Sequence, residues 1–116
     1  MRKAQLTQKL VRELLTYDAS TGNLWWKERA EHWFNTKRSW AQWNARYAGK
    51  PAFTYRHGGR RWGCIMGRSH LAHRIAWLHC YGDLPDTITF VDRNACNLRL
   101  VNLRDPRAKR RERLAA

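Results

Sequence analysis

The sequence predicts a small α+β domain built from short helices and β-hairpins, and three observations carry that prediction. Residues 70–81 place Leu71, Ile75, Trp77 and Leu78 at helical intervals and are followed by Gly82 and Pro85, the usual end of a helix. Residues 52–66 alternate large side chains on either side of His57-Gly58-Gly59, as a hairpin does. The 116 residues leave room for one hydrophobic core, with no internal repeat and no long flexible linker.

Taken in order, residues 6–15 put Leu6, Leu10, Val11, Leu14 and Leu15 on one helical face, with Thr7 placed to cap the start. Residues 17–23 are dense in turn formers, and residues 24–27 read as a strand. Trp33, Phe34, Trp40, Trp43 and Tyr47 then alternate with Lys37, Arg38, Arg46 and Lys50, and residues 39–47 read as a short helix capped by Ser39. The 52–66 hairpin ends at Gly67-Arg68-Ser69, and the 70–81 helix follows. Residues 88–100 hold short apolar runs broken by Asp92-Arg93-Asn94, a second hairpin. Asp105-Pro106 forms the cap and first turn of a last helix over 107–114. Residues 1–105 are thus expected to form the domain, and residues 106–116 a basic C-terminal helix or tail.

Charge narrows the function. Twenty-three Lys and Arg, most of them Arg, face nine Asp and Glu, for a formal charge of +14. Self-repulsion of that size is relieved by a polyanion, and Arg suits bidentate contact with phosphate and guanine. Two basic groups stand out. Arg56, Arg60, Arg61 and Arg68 surround the first hairpin; Arg93, Arg99, Arg104, Arg107, Lys109 and Arg110 run through the C-terminal segment. Both are expected to contact nucleic acid, with Arg60 and Arg61 the strongest candidates for reaching base edges.

The seven tryptophans have two readings, stacking on unpaired bases for Trp33, Trp40 and Trp43, and core for Trp25, Trp62 and Trp77. No apolar stretch approaches the roughly 20 residues that span a bilayer, so no membrane association is expected and the expected location is the cytoplasm. Cys64, Cys80 and Cys96 form no CxxC pair, which fits reduced thiols without a disulfide framework. His70 and His73, three apart, together with His79 and the cysteines, lack finger-like spacing for zinc.

His73-Arg74-Ile75-Ala76-Trp77, then Gly82, Pro85 and Ile88, then Asn102-Leu103-Arg104, resemble the phage and mobile-element HNH endonucleases of homing type. Their pattern runs A-H-R-L-A-W, a G-x-x-P turn, and I-D-H-I-N-G-D-R-x-D-N-R-x-x-N-L-R. Leu14 to Trp26 and Trp43 to Ala52 are also similar to segments of such proteins. The resemblance covers most of residues 6–105 and implies an HNH-like C-terminal half of the ββα-metal type that docks on DNA.

Laid on that pattern without a gap, Thr89 and Phe90 stand where the family has the Asp that helps hold a divalent metal and the His that takes a proton from water. Asn102 matches the family Asn, and Arg111 falls near the second metal-ligand Asn of the last helix. Phe offers neither a metal ligand nor a base, and loss of a general base alone typically costs about 100-fold to 10,000-fold in rate. The resemblance is therefore to a degenerate member without the Asp-His dipeptide, and no catalytic residue, metal or cofactor is expected. The expected function is non-catalytic binding of DNA, duplex before other forms, in a phage-derived transcription regulator. Its rivals are a nicking enzyme with a displaced metal site at Asp92 or Asn94 with His70 or His73, and an adaptor or inhibitor that binds a host protein.

Overall fold

The structure, a computed structural model, describes residues 6–107. Helix α1 (Gln8–Leu14) is capped as the sequence predicts, with Thr7 Oγ1 accepting from Leu10 N at 3.1 Å, and buries Leu10, Val11 and Leu14. It stops one residue short of the expected end. Leu15 opens strand β1 (Leu15–Asp18), which pairs antiparallel with β2 (Asn23–Trp26) in the register Leu15↔Trp26 to Asp18↔Asn23. Leu15 is buried in the observed strand as it would be in a helix, so helical spacing alone does not separate the two.

The β1–β2 turn ties the N-terminal half to the C-terminal segment. Gly22 has φ +79°, and a Cβ there would come within 2.6 Å of the backbone of Leu98 and Arg99. Leu100 N donates to Ala19 O at 3.0 Å, and the Tyr17 hydroxyl donates to Leu98 O. Glycine is therefore required at position 22 both for the turn and for close approach.

After a 3₁₀ turn (Glu31–Trp33), helix α2 (Lys37–Tyr47) is capped by Thr36, whose Oγ1 accepts from Ser39 N at 3.0 Å. Ser39 is thus the third helical residue and not the cap. α2 buries no residue fully.

Strands β3 (Tyr55–His57), β4 (Arg60–Ile65) and β5 (Arg68–Leu71) form an antiparallel sheet in that order. The Phe53 ring lies where a Cβ on Gly63 would be, 2.5 Å away, so only glycine lets β4 pass over it. β5 lies where the sequence reading has a terminator and the start of a helix. His70 pairs with Gly63, and helix α3 runs from Ala72 to Tyr81. His70 and His73 consequently do not share a helical face. Gly82, at φ +86°, ends α3 as predicted, while Gln8 and Arg12 of α1 donate to His79 O at 3.2 and 2.8 Å.

The expected hairpin over 88–100 is replaced by a wider arrangement. β6 (Thr89–Phe90) pairs with β7 (Leu103–Arg104), which follows a 3₁₀ turn (Leu100–Asn102). Asp105 Oδ1 accepts from Arg107 N at 2.9 Å, the cap expected there. The rest of the expected last helix, with Lys109, Arg110 and Arg111, lies outside the described residues.

The main core gathers Leu10, Val11, Leu14, Leu15, Leu24, Phe53, Ile65, Ile75, Leu78 and Leu98 with Ala52 and Ala72; Ala76, Ile88 and Leu103 form a second cluster under Trp77 and Phe90. All seven tryptophans are half-buried: Trp77 packs against the second cluster as expected of it, Trp26 and Trp33 pack against the main one, and Trp25 and Trp62 belong to neither. Among the described residues no helix is long and apolar enough to cross a membrane.

Candidate nucleic-acid interface

Between β6 and β7, residues 91–99 have no ladder, and side chains supply the order. Asn102, 4% exposed, accepts on Oδ1 from Asp92 N at 2.9 Å and donates through Nδ2 to Asn97 O at 2.9 Å and Asn94 O at 3.5 Å. Asp92 accepts from Asn94 N and from Asn97 Nδ2, both at 2.8 Å, and Asn94 Oδ1 accepts from Cys96 N at 3.0 Å. The hydrogen bond from Asn97, then that from the Asn94 amide, holds the Asp92 carboxyl below its ordinary range. Asn102, which matches the family Asn, here braces a loop that carries Arg93 at φ +63°.

Phe90 is half-buried and meets His73 edge to face, with ring centroids 4.9 Å apart. His73 is 6% exposed, and its Nδ1 has no hydrogen-bond partner. Burial first, then the charges of Arg60 and Arg74, pushes its pKa down to about 4, so the imidazole is neutral at pH 7. Thr89 is exposed and donates its hydroxyl to Arg104 O at 3.4 Å.

These positions do not fit a divalent ion. Phe90 has no donor atom and both polar atoms of Asn102 hold backbone, so neither offers a ligand. Among the described residues no three His, Cys, Asp or Glu side chains gather at metal-binding distance.

The β3–β4 hairpin stands next to this region, with the Cys96 thiol donating to Gly59 O at 3.5 Å. Its cross-strand pairs are Tyr55↔Trp62, Arg56↔Arg61 and His57↔Arg60, the last two placing a cation opposite a cation or an imidazole. Arg56 and Arg60 are exposed. Arg61 is half-buried, donates from Nε to Phe53 O at 2.9 Å, and has its pKa lowered by burial and then by Arg56.

Among the described residues the ion pairs are His32 with Glu13 and Arg107 with Asp86, the latter at 2.6 Å on the surface. Arg56, Arg60, Arg61, Arg93, Arg99 and Arg104 have no acidic partner there. The fold thus brings Arg60 and Arg61 beside His73 and the 91–99 loop. It leaves Arg68 at the other end of β4, opposite Ile65, and Arg107 paired with Asp86. Arg29, which no spacing in the sequence singles out, lies in an aromatic cleft away from this surface.

Residues 70–105, from β5 through α3 to β7, match the family model of the HNH endonucleases. No curated protein and no solved structure matches the chain. The matched segment, under a third of the chain, supports an HNH-family relationship and suggests nucleic-acid binding or nuclease activity.

Proposed function

We propose that this protein is a non-catalytic DNA-binding protein derived from an HNH endonuclease, which occupies duplex DNA as a phage-type transcription regulator. The observation that carries the reading is the pairing of Phe90 with His73 next to Arg60. Where the family keeps a base and a metal ligand, this chain has Phe90, packed on the neutral, buried imidazole of His73, and Thr89, whose hydroxyl donates to Arg104 O. The neighbouring hairpin keeps like charges opposite one another with no acidic partner among the described residues. A phosphate backbone relieves that repulsion, and the hairpin presents a basic strand pair of the kind that enters a major groove.

The test is one assay of binding and cleavage on labelled duplex DNA, with and without magnesium or manganese, across a salt series. The expected outcome is metal-independent binding of intact DNA. If Arg56, Arg60, Arg93 and Arg104 each neutralise one phosphate, the log–log salt slope is about −3.6. Tighter binding to promoter fragments than to random duplex supports the regulatory reading, and equal, salt-labile binding to both reduces it to a nonspecific coat. Metal-dependent nicking overturns the non-catalytic reading.

A further inference from the structure

On the far side of β4 from the hairpin tip, a cleft of about 430 Å³ opens between Trp26, Arg29, Trp43 and Tyr47 on one side and Cys64 and Met66 on the other. That volume lies within the range of about 300–1,000 Å³ in which small planar ligands are held. Arg29 is fixed by α2. Its N donates to Asn44 Oδ1 at 2.8 Å, and its carbonyl accepts from Trp40 Nε1 at 2.7 Å and Asn44 Nδ2 at 3.0 Å. Its guanidinium lies 3.9 Å from the Trp43 ring centre and 5.2 Å from that of Trp26.

This cation is poorly satisfied. Arg29 Nε is buried with no hydrogen-bond partner, and no carboxylate pairs with the guanidinium among the described residues. Burial lowers its pKa from the ordinary value. Stacking on indole gives a guanidinium favourable contact, and its terminal N–H groups make no hydrogen bond within the described residues. A planar partner with an acceptor edge would supply the missing acceptors. The rim is basic: Arg46 lies over Tyr47 at 5.3 Å, and Lys50 and Arg68 are exposed nearby in sequence to the lining residues.

We propose that this cleft takes one unpaired base of the bound nucleic acid, set against the aromatic walls with its acceptor edge in the plane of the Arg29 guanidinium. The basic rim holds the flanking phosphates. Guanine is the favoured base, because its O6 and N7 offer two adjacent acceptors to a guanidinium. The inference rests on the nucleic-acid reading above and adds a strand-opening or bulge preference to it.

The experiment compares a fully paired duplex with the same duplex carrying one bulged guanine, for the wild-type chain, Arg29→Met and Cys64→Tyr. Arg29→Met keeps an apolar side chain over Trp43 and removes the N–H groups. Cys64→Tyr changes an exposed strand residue, so it fills the cleft without touching the core. The wild-type chain is expected to bind the bulged duplex about tenfold tighter than the paired one, the scale of one base stacked on an aromatic side chain. Both variants are expected to lose that gain while keeping wild-type affinity for the paired duplex. Equal affinity for the two duplexes overturns the cleft assignment and leaves duplex binding standing. A gain that survives in Cys64→Tyr also overturns it, and assigns the preference to the bulge's flexibility. Binding to neither duplex overturns the nucleic-acid reading itself.

Discussion

The β6–β7 pair and the β3–β4 hairpin are both short antiparallel ladders, and Cys96 in the loop of the first touches Gly59 in the turn of the second. Their polar groups are used in opposite ways. Around β6–β7 the polar atoms of Asp92, Asn94, Asn97 and Asn102 satisfy one another or the backbone, and Phe90 turns onto His73. Along β3–β4 the guanidinium of Arg56 stands opposite Arg61, and Arg60 opposite His57. Like charges directly opposite on a sheet destabilise it by about 0.2–1 kcal/mol per pair. Apart from its exposed Arg93, Arg99 and Arg104, the first region is internally satisfied; the second is internally unsatisfied and suited to completion by a polyanion. Substitutions in the first should therefore register in stability, and those in the second in binding.

The largest effect is expected for Asn102→Ala. It removes the acceptor of Asp92 N and the donor to two loop carbonyls, at a cost of about 2–4 kcal/mol read as a lower denaturant midpoint. At denaturant-free, low-temperature conditions the folded variant should still bind DNA through the hairpin. Unchanged stability with lost DNA chemistry would break the comparison, because Asn102 would then be acting on the nucleic acid and not on the loop.

The next effect is a pH dependence centred on His73. His73 has an ordinary pKa of 6.5 and is pushed to about 4 in the fold, so the unfolded chain binds more protons between those values. Stability is full above about pH 6.5 and is lost as pH falls toward 4, by up to about 3 kcal/mol from this residue. His70 and His79 are shifted in the same direction by burial and act in the same sense, while Asp18 and Asp92, lowered by hydrogen bonds, act at more acid pH. His73→Leu should reduce the fall of the denaturation midpoint between pH 6.5 and 4, leaving the part that belongs to His70 and His79. The proposed DNA contacts are made by arginines and not by His73, so DNA affinity of the folded protein should not follow the same curve.

Legibility in the sequence follows the same division. Where local chemistry decides, the residues declare the structure: Thr7 caps α1, Gly82 ends α3, Gly58-Gly59 turns the hairpin, and Asp105 caps the following turn. Where a partner decides, they do not. Arg68–Leu71 has no strand-like alternation and becomes β5 because β4 lies beside it; Leu15 joins β1 because Trp26 comes opposite. The density of Asp92, Asn94, Asn97 and Asn102 is a visible sign of a side-chain-braced loop, but short apolar runs around it mimic a plain hairpin. The cleft at Arg29 has no such sign, since it exists only once β2 brings Trp26 to Trp43 of α2. The site positions Thr89 and Phe90 are legible from the resemblance, whereas the contact of Phe90 with His73 is not.

The smallest effect sharpens the comparison most, because it has opposite signs in its two readouts. Arg61 is a poor choice for it, since its Nε donates to Phe53 O and truncation would remove a structural hydrogen bond. Arg56 is exposed and has no side-chain hydrogen bond among the described residues, so Arg56→Thr relieves the repulsion and places a good strand former in β3. Stability is expected to rise by about 0.2–1 kcal/mol. DNA affinity is expected to fall, with the log–log salt slope shallower by about 0.9 if one phosphate contact is lost. A variant that is more stable yet binds less well means that the fold holds Arg56 opposite Arg61 at its own expense, for a partner outside the chain. A variant unchanged in both respects means that the two guanidinium groups are adequately separated by solvent, and the weight of the DNA surface then moves to Arg60, Arg93 and Arg104.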